Sequence, residues 1–146
     1  MLSAVLASID AWFESAVFGP LEHAADALPA ISAMFDSVTA YFRSGERVCL
    51  VGAMGLGASR DPFAGVIAGY FRRWVAALTK CLIKGGIRPA DASRLAEGAV
   101  AGIQGAIVLS RALNDREAFH RIVWQHQARL LDALAPCHDR PREVVQ

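Results

Sequence analysis

The chain has 146 residues, a length that suits one domain with a sizeable core. Its hydrophobic fraction is 54% and its charged fraction 20%, an apolar excess that calls for a pocket, a groove or a subunit interface. Fifteen lysines and arginines against 14 acidic residues give a net charge of +1, with no electrostatic footprint for nucleic acid and no strong pull toward an anionic membrane.

Leu2, Val5, Leu6, Ile9, Trp12, Phe13, Ala16 and Val17 recur at the spacing of an amphipathic helix, with Ser3, Ser8, Asp10 and Glu14 on the other side. Gly19-Pro20 is expected to end it. After a short connector, Pro29 suits a first helical position. Ile31, Met34, Phe35, Val38, Tyr41 and Phe42 then form the stripe of a second helix, closed by Ser44-Gly45-Glu46 with Gly45 as a left-handed cap. Residues 48–59, VCLVGAMGLGAS, read as a short buried helix. Gly52, Gly55 and Gly57 fail as a phosphate loop, because no strand precedes them and no Lys-Ser/Thr follows.

Asp61 as cap and Pro62 in the first turn open the clearest helix. Its stripe is Phe63, Val66, Ile67, Tyr70, Phe71, Trp74, Val75, Leu78, Leu82 and Ile83, and Gly85-Gly86 stops it. Pro89 starts the next helix, which contains the Gly- and Ala-rich run 95–111. Gly98, Gly102 and Gly105 lie at spacings of four and three, on one stripe. Glycine within a helix costs roughly 0.5–1 kcal/mol relative to alanine. Such a stripe therefore implies a closely approaching helix, either in the same molecule or in a second copy. Asn114 caps the last helix, with Glu117 three residues on as in a capping box. Phe119, Ile122, Val123, His126, Leu130 and Leu134 form its buried face, and Pro136 ends it. The expectation is an all-α domain of about six helices over 1–135, with a disordered tail over 136–146.

Cys49, Cys81 and Cys137 lie far apart, are odd in number and lack metal-ligand spacing, as in a reduced cytosolic protein. No basic segment precedes an apolar run at the N-terminus, so no secretory signal is read there. The apolar run 98–109 is broken by Gln104 and falls short of the roughly 20 residues of a bilayer span.

Candidate chemistry is sparse. His23, His120, His126 and His138 have no ligand-type partner one turn away, and His126 on an apolar face reads as a core or interface histidine. Asp10 and Glu14 form a solvated carboxylate pair, and Ser59 and Ser110 have no triad pattern. Cys49 reads as a small buried hydrophobe. The aromatic set Trp12, Phe13, Phe35, Tyr41, Phe42, Tyr70, Phe71 and Trp74 fits either a plain core or the wall of an apolar pocket.

The order of features resembles the C-terminal, ligand-binding and dimerisation domain of TetR-family regulators, nearest the LmrA/YxaF-like subgroup. The resemblance rests on Cys49, Leu50 and Gly52 after a small loop and on the long aromatic helix ending at Gly85-Gly86. It rests further on the run LAEGAVAGIQGAIVLSRALNDREAFHRI, with Ile103-Gln104-Gly105-Ala106 through Leu109 and then Asn114-Asp115.

It implies an effector pocket, with Trp12, Phe13, Met34, Phe35, Cys49, Met54, Phe71 and Trp74 in its wall and Gln104 either as a polar handle there or across the dimer seam. It implies a homodimer through the last two helices, with Gly98, Gly102, Gly105, Phe119, Ile122, His126 and Leu130 at the seam. The function implied is the regulatory domain of a cytoplasmic repressor that binds a small apolar or aromatic effector, without enzymatic activity, metal or cofactor and without a membrane partner. A ligand-free dimeric module and a small all-α enzyme using the same cavity are the alternatives. The family's helix-turn-helix has no counterpart in 1–19, so DNA is expected to be contacted only through a domain missing here. An excised domain, a late start codon or a regulator without its own DNA reader would each account for that.

Overall fold

The computed structural model describes residues 2–45, Cys49, Ala53 and 63–138. These form five helices and no strand among the described residues. The short helix expected over 48–59 and the Asp61-Pro62 start lie outside them.

Helix α1 begins as a regular α-helix over Leu2–Phe13, widens to a π turn over Glu14–Phe18 and returns to α over Gly19–Glu22. The widening has a packing consequence. In an α-helix, residues five apart point about 140° away from each other. A π turn closes after five residues, so Phe18 joins Phe13 on the inner side, with ring centroids 5.8 Å apart. Gly19-Pro20 does not end the helix, contrary to the sequence expectation. The Gly19 N–H already bonds back five residues to Glu14, so the regular ladder is broken where proline lacks its own N–H. The segment Ser3–Glu22 is long and apolar enough to cross a membrane by length and composition. Leu6, Phe13, Val17, Phe18 and Leu21 of it are buried against the chain's other helices, while only 28% of the segment as a whole is buried.

Helix α2 spans Ala27–Tyr41. Its cap is Asp26, which accepts from the Leu28 N–H at 3.3 Å, so Pro29 sits at the third helical position and not the first. A single tight turn, Arg43–Gly45, follows, and Gly45 has φ +90° as a left-handed residue. Helix α3 spans Ala64–Lys84 and buries Ile67, Tyr70, Trp74, Ala77, Leu78, Cys81 and Leu82. It ends as the sequence predicts: Gly86 has φ +102°, and the Ile87 N–H closes on Leu82 O at 3.1 Å.

Helix α4 spans Pro89–Ala112, with proline in its first turn. Its buried face is Ala92, Ala96, Ala99, Val100, Ile103, Ala106, Ile107 and Ser110. Small side chains let it pack closely against α3 and most extensively against α5, which spans Arg116–His138. The cap of α5 is Asp115, not Asn114. Asp115 Oδ1 accepts from the Glu117 and Ala118 N–H groups at 3.0 and 3.3 Å, while Asn114 has φ +48° and finishes the turn out of α4. Arg121 bonds the other carboxylate oxygen at 3.0 Å, which with the cap bonds holds the Asp115 carboxyl below its usual range. Helix α5 continues through Pro136 to His138, so that proline does not stop it. Residues 139–146 of the expected tail lie outside the description.

Candidate functional site

Phe13 of α1 is the centre of an aromatic cluster built from the first three helices. It is fully buried, and the rings of Trp12, Tyr70, Trp74, Tyr41, Phe18 and Phe42 stand 4.9, 5.0, 5.3, 5.4, 5.8 and 6.4 Å from it. Trp12 also stacks on Tyr41 at 4.2 Å. Met34 and Phe35 of α2 are buried in the same core, as is Cys49.

Two polar atoms interrupt this apolar surface. The Tyr70 hydroxyl and the Trp74 indole N–H are buried and have no hydrogen-bond partner among the described residues. Such groups are costly, each about 1–3 kcal/mol when left unsatisfied. The Cys49 thiol is close enough to act on the Tyr70 hydroxyl, but a thiol is a weak partner. Burial first, and then Cys49, push the Tyr70 hydroxyl far above its ordinary pKa, so it keeps its proton and remains a donor.

Arg73, next on α3, fastens the outside of this region. It forms ion pairs with Glu14 in the π turn and with Glu22 at the end of α1, the latter at 3.3 Å, and lies 5.3 Å over the Phe18 ring. Hydrogen bonds to Glu22 and then Glu14 raise its pKa further. The widened turn of α1 is thereby tied to the helix that carries Tyr70 and Trp74.

Of the pocket residues expected from sequence, Trp12, Phe13, Met34, Phe35, Cys49 and Trp74 come together in this core. Phe71 does not face into it. It lines an open groove of about 650 Å³ on the outer side of α3, with Val75, Thr79 and Ile83 and with Ser93 and Glu97 of α4. Gln104 stands on α4, its Nε2 buried without a partner, and none of the rings around Phe13 comes from α4. Met54 lies outside the described residues. Tyr70 stands in the aromatic set read from the sequence but not in the wall that the family resemblance implies. Periodicity cannot say which of two neighbouring aromatics points inward.

The expected interface residues divide in the same way. The face of Gly102 is filled by the imidazole of His126 from the same chain. Phe119 and Leu130 are fully buried, so their surface is used within one chain, and Ile122 packs against the core. Gly98 and Gly105, by contrast, have open space where a side chain would be. They share an uncovered face of α4 with Ala101, Val108 and Leu109, the last two 59% and 47% exposed. Burial, then the Arg129 charge, lower the pKa of His126. Among the described residues, no three His, Cys, Asp or Glu side chains gather as a metal site.

No curated protein and no solved structure matches the chain. A family model, described as the C-terminal domain of LmrA/YxaF-like transcriptional regulators, matches residues 27–125, which run from α2 into α5 and include both the Tyr70–Trp74 pair and the open face of α4. The chain therefore belongs to the LmrA/YxaF-like group of TetR-family transcriptional regulators, as their C-terminal domain.

Proposed function

We propose that this chain is the effector-binding and dimerisation part of a cytoplasmic TetR-like repressor. It acts by binding, not by chemistry. A small, mostly apolar effector enters the aromatic core around Phe13, Tyr70 and Trp74. In the full-length protein the ligand favours one spacing of two DNA readers over another, and it does so only through its differential affinity for the two conformations. The observation that carries this reading is the pair of unpartnered donors in an otherwise aromatic core. A core built only for stability would place phenylalanine at position 70.

The second copy packs on the open α4 face of Gly98, Ala101, Gly105, Val108 and Leu109, with α5 alongside. The two glycines there have no neighbour of their own, and close approach of another backbone gives them a reason. Sedimentation equilibrium tests this half. The wild-type chain sediments as a dimer and Val108→Glu as a folded monomer; a wild-type monomer, or a Val108→Glu dimer of unchanged affinity, contradicts it.

A further inference from the structure

Resting on the pocket reading above, we propose that the site takes an uncharged, mainly apolar molecule whose acceptor oxygens are held by the Tyr70 hydroxyl and the Trp74 indole N–H. The indole N–H can only donate, so its partner must be an acceptor. The two residues are one turn apart on α3 and both flank the Phe13 ring, at 5.0 and 5.3 Å. Both donors thus belong to the one aromatic cluster centred on Phe13. Native proteins leave few buried polar groups unsatisfied, and two on one wall of one core mark a place for a ligand's polar edge.

Charge selects against ions of both signs. Burial in this apolar core disfavours a charge at the Tyr70 hydroxyl, and the Asp10 carboxylate adds to that for an anion. Arg73, next to Trp74 in the chain, is occupied by Glu14 and Glu22 on the outside. A cationic ligand would suit an aromatic cage, but here the N–H and O–H present their positive ends to it. A neutral acceptor is what remains.

The test uses three shape-matched probes on the intact chain by titration calorimetry: benzophenone, the hydrocarbon diphenylmethane and the anion 4-benzoylbenzoate. Benzophenone is expected to bind about tenfold more tightly than diphenylmethane, the value of one good buried hydrogen bond. Tyr70→Phe and Trp74→Phe, which keep an aromatic ring, shrink that preference toward one, and the anion binds worst. The melting temperature of unliganded Tyr70→Phe stays the same or rises, because no hydrogen bond is lost; a fall would mean the hydroxyl is already held and would overturn the assignment. Equal binding of ketone and hydrocarbon, tightest binding of the anion, or a ketone preference that survives in both variants overturns the chemical class while leaving the pocket intact. If none of the three binds, the pocket reading itself falls.

Discussion

Gly102 of α4 lies directly beneath the imidazole of His126 of α5, so that a methyl group at 102 would overlap the ring. The glycine is thus the contact point of a helix pair within one chain, and this predicts an asymmetry among the three glycines of the stripe. Gly102→Ala should destabilise the fold by about 1–3 kcal/mol, because the ring must move out of a packed interface. Gly98→Ala and Gly105→Ala meet nothing among the described residues and gain helix propensity, about 0.5–1 kcal/mol each. Urea unfolding of the three variants, at a concentration where the chain is monomeric, gives the comparison. Equal effects at all three positions would contradict the packing described.

The same histidine makes stability pH-dependent. Its folded pKa lies below the ordinary value, through burial and then through Arg129. Between that folded value and about 6.5, the unfolded chain binds more protons than the folded one. Stability is therefore fully present at neutral pH and declines as pH falls below about 6.5, until the folded pKa is passed. Urea midpoints for the wild type should drop between pH 7.5 and 5.5, and His126→Asn should flatten that slope. A wild-type slope retained unchanged in His126→Asn would place the effect elsewhere.

Phe13 and Phe71 test which aromatics form the box. Phe13→Ala removes a fully buried ring with six aromatic neighbours and should cost about 3–5 kcal/mol. Phe71→Ala removes a partly buried ring in the outer groove and should cost a fraction of that, leaving probe binding in the core unchanged. Loss of binding in Phe71→Ala would return Phe71 to the pocket wall.

Gly45→Ala should be among the most damaging small substitutions in the chain. The residue holds φ +90°, a conformation that costs an ordinary side chain about 1–3 kcal/mol, and its added methyl would also meet Ser110 and Phe119. Thermal unfolding should show a larger loss than for Gly102→Ala, where the backbone is an ordinary helix.

The signals that read correctly from sequence were those with a local cause. Gly45 and Gly86 take the left-handed turns their positions suggest, and Pro89 opens α4. The failures were of two kinds. Gly19-Pro20 reads as a stop, but a π turn already interrupts the ladder there, and nothing in the local sequence announces the widened turn. Asn114-Asp115 contains two residues that both suit a cap; one becomes the left-handed exit of α4 and the other caps α5. The site shows the same division. Spacing assembles the aromatic stripe of α3 but does not orient it, so Tyr70 and Phe71 read alike from the sequence. The glycine stripe was legible as close packing, but the neighbour at Gly102 is contributed by His126, 24 residues further along the chain.

Trp74 holds a buried indole N–H with no hydrogen-bond partner among the described residues. The chain has three tryptophans, so a nitrogen-15 correlation spectrum resolves three indole N–H signals, assigned by Trp→Phe variants. In the unliganded chain, the Trp74 signal should exchange slowly with solvent and lie upfield, as for an N–H without a hydrogen bond. Trp124, 68% exposed, should exchange rapidly at a concentration where the chain is monomeric. On addition of benzophenone, the Trp74 signal alone should move strongly downfield. A Trp74 signal that already lies in the hydrogen-bonded range, or one that stays still while the ketone binds, would contradict the account.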